Sequence, residues 1–337
     1  MRAVRLHAVG DLRLHDEPVT AARPGWSRVR VQAVGLCGSD LHWFEDGAIG
    51  DATLSRPLVL GHEFAGTVEG GELDGRLVAV DPALPCGSCV TCSTGLGHLC
   101  PRVVFAGHGR QDGGLRQVVE WPTHRLHVLP DGFTAEDGAV LEPLGVALHA
   151  LELASLRPGG SAVVVGCGPI GLLLVRLLRG TVAGRVVAVE PLQHRRDAAV
   201  RAGADAALAP EDARDDRLAE MLGPVGVDVS FEVAGSDDAV DTAIRAVRPG
   251  GRVLLVGIPS DDRTTFRAAA ARRKGLTLML SRRMGEVYPR AIDLVDRGVV
   301  RLDGMVTHRY GLAEIETAFR CAISRAGLKV VVLPWEL

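Results

Sequence analysis

A glycine-rich turn between an apolar strand and a helix constrains the fold of this 337-residue chain more than any other feature. Apolar residues at 161–165 run into G-x-G-x-x-G at 166–171, and a helical pattern follows over 172–179. A second apolar strand, at 185–189, ends on Glu190 at the distance from the glycines that a dinucleotide-binding βαβ unit requires. The sequence therefore predicts a parallel sheet that binds a nicotinamide dinucleotide.

The parts of this turn have separate roles in cofactor binding. Glycines let the backbone approach a pyrophosphate, and the start of the helix supplies positive potential. Glu190 can accept hydrogen bonds from ribose hydroxyls and repels a 2′-phosphate, which favours NAD over NADP. Arg195 and Arg196 leave NADP as an alternative, since they can fold over its 2′-phosphate. They can equally lie on an exposed helix face without contacting the cofactor. The residues predicted to bind the cofactor are Gly166, Gly168, Pro169, Ile170, Gly171, Glu190 and Arg195.

The pattern changes near residue 134, and the chain is too long for one hydrophobic core. Before that point apolar and polar residues alternate, which predicts short antiparallel strands in a barrel-like domain. Such strands are predicted at 28–34, 66–69, 76–80 and 114–120. A helix is then predicted from Thr134, and further strands at 227–233 and 251–257 extend the parallel sheet. The fold class predicted is α/β, with a β-rich domain beside a doubly wound sheet.

Four of the seven cysteines lie in one short loop. The spacing C-x2-C-x2-C-x7-C of Cys86, Cys89, Cys92 and Cys100 lets one loop place four thiolates around a tetrahedral ion. Disulfides between residues three apart would strain the backbone, and a cytosolic chain would not keep them oxidised. A structural zinc site is the favoured interpretation, and an iron–sulfur or redox cluster is the alternative. Cys167 and Cys321 are interpreted as packing residues.

A second set of donors lies between residues 34 and 63. Cys37, His62 and nearby carboxylates provide sulfur, nitrogen and oxygen donors, a mixture that suits Zn²⁺. We interpret this stretch as the floor of a catalytic zinc site. The alternative is a core cysteine with an unrelated surface histidine.

Composition excludes several classes of function. The net charge is −3 with both signs spread along the chain, so no basic stripe indicates nucleic acid. No apolar run approaches the roughly 18 residues that a membrane span needs, and the first residues lack the apolar core of a signal peptide. We expect a soluble cytoplasmic protein with no nucleic-acid or membrane partner.

With these motifs, the chain resembles the zinc-dependent medium-chain dehydrogenases, and within them the polyol branch of sorbitol/iditol and L-idonate 5-dehydrogenases. The resemblance rests on the stretches at 35–43, 47–50, 61–63, 141–144 and 165–171 and on the four-cysteine loop. It implies a GroES-like catalytic domain at 1–143, a Rossmann NAD-binding domain at 144–283 and a return to the catalytic domain at 284–337. Relatives in this family are homodimers or homotetramers.

The resemblance also implies roles at the metal site. Cys37 and His62 match zinc ligands, with either Glu63 or Glu142 as a further ligand and the other one water away. For Glu142 the alternative is a helix-start carboxylate that stabilises the helix dipole. Asp40 is expected to orient His62, or to cap the helix that follows Cys37.

The same resemblance implies proton and hydride transfer. Zinc would act as a Lewis acid on the substrate hydroxyl while a hydride passes to the nicotinamide. Ser39 is expected to take the hydroxyl proton and His42 to pass it on. The predicted substrate is a small polyhydroxylated molecule, namely a polyol, sugar acid or cyclitol. The residues expected to line its pocket are Trp43, Phe105, Arg282 and Arg283.

Three alternatives stay open at this point. One is another medium-chain alcohol dehydrogenase, of the threonine or butanediol type. A second is a catalytically silent homologue that binds the cofactor, although such a protein would be expected to lack Cys37, His62 or Ser39. A third treats the cysteine loop as a nucleic-acid-binding zinc module, which the charge distribution opposes.

Overall fold

A computed structural model of the chain describes residues 1–19, 23–214, 216–223 and 225–336. The chain divides into two compact units. The first unit comprises Met1–Glu142, Tyr288–Asp296 and Leu302–Leu337, and the second comprises Pro143–Val287 and Arg297–Arg301. The domain boundaries expected from the family stay predictions.

Strands dominate the first 130 residues. In chain order the elements are β1 (Arg2–Ala8), β2 (Asp11–Asp16), β3 (Trp26–Gly35), α1 (Gly38–Asp46), β4 (Ala48–Ile49), β5 (Ala52–Thr53), β6 (Glu63–Glu69), β7 (Leu77–Val80), β8 (Ala83–Leu84), α2 (Val90–Ser93), β9 (Val104–Phe105), β10 (Val118–Pro122) and β11 (Leu126–Val128). Short 3₁₀ turns lie at Gly97–Leu99 and Thr123–Arg125.

Helices and strands then alternate. The elements are α3 (Ala135–Ala154), β12 (Gly160–Val165), α4 (Pro169–Thr181), β13 (Ala183–Val189), α5 (Gln193–Arg201), β14 (Ala206–Leu208), α6 (Pro210–Arg214), α7 (Asp216–Leu222), β15 (Val227–Glu232), α8 (Asp237–Ala246), β16 (Val247–Leu255), α9 (Ala268–Lys274) and β17 (Thr277–Leu280). The chain ends with α10 (Tyr288–Asp296), β18 (Val306–Gly311), a 3₁₀ turn at Leu312–Glu314, α11 (Ile315–Ile323) and β19 (Lys329–Leu333).

The first unit is built on a mostly antiparallel sheet. Its strand order is β11-β7-β6-β3-β19-β18, with β10 paired to β3. In β3, Val29 and Val31 are buried while Arg30 and Gln32 face solvent, so the alternating sequence sets the face that packs on the core. At its end, Gly35 of β3 lies opposite Glu63 on one side and Val331 on the other. This register brings the end of β3 together with residues of β6 and β19, which are distant in sequence.

The second unit contains a parallel sheet of order β14-β13-β12-β15-β16-β17. The centre of this sheet, β12, is a buried run of Ala162 and valines, as expected of a strand covered on both faces. Helix α4 lays five buried leucines against the sheet. The α/β fold class, with a doubly wound parallel sheet, is therefore confirmed.

The glycine turn depends on a close approach of helix and strand. A Cβ atom at Gly171 would lie 1.9 Å from the carbonyl oxygen of Gly166, so no larger residue fits there. Pro169 takes the first position of α4, where a missing N–H costs nothing. The predicted strand–turn–helix order is confirmed.

One predicted strand is placed differently. The strand expected at 114–120 begins at Val118, because the residues before it pair irregularly with the segment leading to His62. Gly114 N–H donates to the Gly61 carbonyl at 2.7 Å, and Leu115 N–H donates to the Leu60 carbonyl at 3.0 Å. No helix of the described residues is long and apolar enough to cross a membrane.

Candidate metal and cofactor sites

The structure brings together Cys37, His62 and Glu63 in the first unit. One ligand atom of each lies within 4.8 Å of the others. Cys37 is the N-cap of α1, and His62 and Glu63 stand at the start of β6. Sulfur, nitrogen and oxygen donors at this spacing fit the preference of Zn²⁺. The donor set therefore fits a zinc ion.

Asp40 contacts the residues of this candidate metal site. It is fully buried, and its carboxylate accepts hydrogen bonds from the N–H groups of Cys37 at 3.0 Å and Gly61 at 3.1 Å. Its Oδ1 lies 3.6 Å from Nδ1 of His62. Burial opposes the ionised form of Asp40, but His62 and these N–H groups outweigh it and lower the pKa of the carboxyl. Asp40 is not the N-cap of α1 itself, because it occupies the third helical position and reaches back to Cys37.

His62 carries a proton readily in the metal-free protein. Burial lowers the pKa of its imidazole, but Asp40 and Cys37 outweigh burial and hold the pKa well above its ordinary value. Zinc binds neutral imidazole, so metal binding at this group releases a proton.

Lys329 is a member of this site that the sequence analysis missed. Its ammonium lies against Oε2 of Glu63 and donates a hydrogen bond to the Leu36 carbonyl at 2.9 Å. The pair fits only because residue 35 is glycine: a Cβ there would lie 2.1 Å from Oε2 of Glu63 and 2.8 Å from Cε of Lys329. A carboxylate has two oxygens, so the pairing leaves one for a metal ion. The signal in the sequence was a lysine at the start of an apolar strand, in a chain whose other basic residues are almost all arginine.

Glu142 lies near the group but outside it. The residues whose ligand atoms lie within 4.8 Å of one another do not include it. Burial raises the pKa of Glu142 to about 7, and the Glu63 carboxylate adds to the rise while His62 and Lys329 oppose it. The helix-start interpretation of Glu142 is wrong, because α3 begins seven residues earlier at Ala135.

The predicted proton-transfer residues lie on α1. Ser39 is half-buried in the first turn, and His42 follows it on the same helix. Nδ1 of His42 lies 3.1 Å from Oδ2 of Asp46. Their roles in proton transfer stay predictions.

The two aromatic residues predicted to line the substrate pocket differ in placement. The ring of Phe105 lies beside that of His62, with centroids 5.4 Å apart. Trp43 is 1 % exposed and packs in the core against His108. Its indole therefore presents almost no surface to a ligand, and its predicted contact with substrate stays a prediction.

The four-cysteine loop forms a second candidate metal site. The sulfur atoms of Cys86, Cys89, Cys92 and Cys100 lie within 4.8 Å of one another. Hydrogen bonding from the backbone of Ser88 is the main cause that lowers the pKa of Cys86 to about 5. The guanidinium of Arg102 also donates to its sulfur at 3.1 Å. Four sulfurs with no other donor fit a closed tetrahedral zinc site.

In the second unit Glu190 lies directly on the glycine turn. It is 4 % exposed, and its Oε2 accepts a hydrogen bond from the Cys167 N–H at 2.7 Å. Oε1 accepts from the Leu192 N–H at 3.1 Å. These bonds fix the carboxylate at the end of β13, beside the start of α4.

The two arginines on α5 have different surroundings. Arg196 donates to the carbonyl oxygens of Glu190 at 2.6 Å and Pro191 at 2.7 Å, so its guanidinium is held by the backbone. Arg195 lies over the turn, where a Cβ at Gly168 would come within 3.8 Å of its guanidinium. Arg195 is therefore the arginine nearer the turn, and its contact with a cofactor stays a prediction.

Arg282 and Arg283 follow β17 in the second unit. Arg282 is exposed, and Arg283 is half-buried with a left-handed backbone at φ +56°. Their predicted contact with substrate stays a prediction.

The donor groups and the glycine turn define a zinc-dependent dehydrogenase. Residues 23–131 match the family model of the alcohol dehydrogenase GroES-like domain, and residues 169–297 match that of the zinc-binding dehydrogenases. The chain belongs to this family, the zinc-dependent medium-chain alcohol and polyol dehydrogenases, and is an oxidoreductase.

The alignments with known relatives cover almost the whole chain. Sorbitol dehydrogenase of Bacillus subtilis is 31% identical, with 99% of this chain and 97% of the relative covered. D-xylulose reductase A of Aspergillus niger is 33% identical over 97% of this chain and 95% of its own length. The crystal structure of L-idonate 5-dehydrogenase from Escherichia coli superposes with a TM-score of 0.91 at 26% identity, covering 99% and 98% of the two chains. The resemblance to the polyol branch is confirmed.

Proposed function

We propose that the protein transfers a hydride between NAD and a secondary hydroxyl of a polyol, sugar acid or cyclitol. The observation that carries the proposal is the convergence of Cys37, His62 and Glu63 on one point of the first unit. The relatives act, by their names, on sorbitol, xylulose and L-idonate, which have several hydroxyls in common.

Cys37, His62 and Glu63 would hold a catalytic zinc ion, and the four-cysteine loop would hold a structural one. The catalytic ion would supply Lewis acidity toward the substrate hydroxyl. Asp40 keeps His62 oriented, and Lys329 balances the charge of Glu63. Glu142 is a buried carboxyl group near this site, and we propose that it takes part in proton transfer.

The proton released from the substrate needs acceptors on the protein. Ser39 is half-buried two residues after Cys37, and His42 follows one turn later on α1. Nδ1 of His42 lies 3.1 Å from the carboxylate of Asp46, which fixes the orientation of the ring. We assign the relay to Ser39 and His42.

NAD is the proposed cofactor because the buried Glu190 carboxylate repels a 2′-phosphate. Arg195 beside Gly168 is the feature that favours NADP as a second candidate. We propose that Glu190 determines the cofactor preference, since its carboxylate is fixed by two backbone N–H groups. A homodimer or homotetramer is the proposed assembly.

A substrate panel with NAD and NADP supplied separately tests the proposal. Sorbitol, xylitol, L-idonate and a cyclitol are compared with threonine, butanediol and simple alcohols. We expect kcat/KM for the best polyhydroxylated substrate to exceed that of simple alcohols by at least about tenfold, or ~1.4 kcal/mol. Equal kcat/KM for a simple alcohol would refute the polyol assignment, and preference for threonine or butanediol would favour those types.

A further inference from the structure

A cavity in the first unit takes no part in the chemistry described above. It has a volume of about 250 Å³, and its charged lining consists of Arg23, Arg56, Arg110, Arg116, Asp112 and Glu120. Four guanidinium groups thus face two carboxylates, an excess of positive charge in a chain whose net charge is −3. Such an excess in a concave site attracts anions.

Arg116 is a half-buried arginine in the lining of this cavity. Its Nε atom is buried and has no hydrogen-bond partner among the described residues. The charged groups that act on it are Asp112, Glu17, Glu120 and Arg5. Burial lowers the pKa of this guanidinium and outweighs those carboxylates. A buried donor without a partner costs free energy.

The carboxylates of the cavity are already engaged. Arg5 donates to both oxygens of Asp112, at 3.1 and 3.0 Å, and the Val59 N–H donates to Oδ1 at 3.2 Å. Glu120 lies 4.0 Å from the guanidinium of Arg23. Arg56 also lies 3.8 Å from Asp112, so Arg23 and Arg56 are partly neutralised within the cavity. The excess positive charge is therefore carried by Arg110 and Arg116.

The three other arginines of the lining, Arg23, Arg56 and Arg110, are exposed. The guanidinium of Arg56 donates to the backbone carbonyl of Arg110. The planar guanidinium presents paired N–H donors that match the oxygens of a phosphate or carboxylate group. The volume suits a compact ligand rather than a dinucleotide.

We propose that this cavity binds a compact dianion through Arg116 and Arg110, with a phosphate group as the ligand chemistry. The phosphate is inorganic or belongs to a small phosphorylated metabolite. None of the residues that line the cavity belongs to the predicted metal or cofactor sites, so the proposal does not depend on the proposed substrate.

Calorimetric titration of the zinc-loaded full chain with inorganic phosphate, and separately with glycerol 3-phosphate, tests the proposal. Ionic strength is held constant with chloride. We expect saturable binding that Arg116→Gln weakens by at least about tenfold, the loss of one charge-assisted contact. Arg110 is exposed, so the Arg110→Gln variant should fold normally. It should also raise the dissociation constant for phosphate. The tighter of the two ligands identifies the source of the phosphate.

Arg320→Gln is the matched control, since Arg320 is 76% exposed, pairs with Glu316 and is not among the residues that line the cavity. It should bind both ligands like the unaltered protein. The proposal fails if neither ligand binds saturably, or if Arg110→Gln and Arg320→Gln give the same dissociation constant. Dehydrogenase activity is not the readout, so a wrong substrate assignment would leave this result unaffected.

Discussion

Lys329 and Glu63 form an ion pair in which each side chain is 1% exposed. Burial removes both charges from water, and only the close contact and the Leu36 carbonyl replace that hydration. Burial lowers the pKa of the Lys329 ammonium, but Glu63 and Cys37 outweigh it and raise the pKa above its ordinary value. The lysine therefore stays charged beside the candidate metal ligands.

Lys329→Met should destabilise the metal-stripped protein by about 3–5 kcal/mol, because Glu63 is left buried without a partner. Zinc brings positive charge to the same carboxylate, so the loss should be smaller in the zinc-loaded protein. Urea denaturation of both forms measures the difference. An equal loss with and without zinc would mean that Glu63 does not face the ion.

Lys274→Met is the control for that comparison. The Lys274 ammonium donates to the carbonyls of Ile244, Arg245 and Val247 at the end of α8, in the second unit. Its loss should cost about 1–2 kcal/mol through the lost carbonyl bonds. This cost should not depend on zinc.

Two cysteine substitutions should separate the two metal sites. Cys37→Ser should remove one of two zinc ions and abolish NAD reduction while changing thermal stability little. Cys100→Ser, at a buried ligand of the four-cysteine loop, should also remove one zinc ion but lower the melting temperature, because structural zinc contributes folding free energy.

Zinc content by mass spectrometry and calorimetric melting measure both effects. Cys321→Ser is the control, since Cys321 packs at the edge of the core. Unchanged turnover in Cys37→Ser would eliminate the proposed mechanism. Loss of both ions from either variant would show that the sites are not independent.

Glu190→Gln should shift cofactor preference toward NADP. The amide keeps an acceptor for the Cys167 N–H but removes the charge that repels a 2′-phosphate. We expect the ratio of kcat/KM for NADP to that for NAD to rise at least about tenfold. Arg195→Leu should lower the same ratio. No change in either variant would exclude these residues as the source of cofactor selectivity.

Local patterns predicted much of the fold and site. The strand, glycine turn and helix at 160–181 follow from burial and from turn chemistry within one short segment. The four-cysteine loop is also local, because its ligands span fifteen residues at 86–100. Each of these features is specified by neighbours in sequence, which a pattern records directly.

Features made by distant segments were not predictable in this way. Lys329 meets Glu63 only because β19 pairs with β3, which in turn pairs with β6. The strand expected from residue 114 is interrupted because 113–115 hydrogen-bond to the loop before His62. The helix-start alternative for Glu142 is wrong because the acidic turn at 135–137 marks the start of α3. Pairing across the sheet and burial decide these positions, and neither leaves a periodic signal.

Acid should weaken the second unit through Asp228. Its carboxylate accepts from the N–H of Ser161 at 2.8 Å and from Nε of Arg248 at 2.8 Å. The bond from the Ser161 N–H is the main cause that lowers the pKa of this carboxyl below its ordinary value of 3.8. A lowered folded-state pKa stabilises the fold above pH 3.8, and that stability is lost as the pH falls through the folded value. Asp228→Asn should therefore cost about 1 kcal/mol at pH 7, a modest amount because the pair is partly exposed.

The difference between Asp228→Asn and the unaltered protein should shrink as the pH falls from 3.8 through the lower folded-state pKa, because the carboxylate becomes protonated over that range. Urea denaturation at pH 7 and at successively lower pH measures it. Asp262→Asn is the control, because Asp262 is exposed and its left-handed backbone, φ +54°, accepts asparagine readily. A cost for Asp228→Asn that stays constant down to the lowest pH would assign the effect to packing, since packing does not titrate.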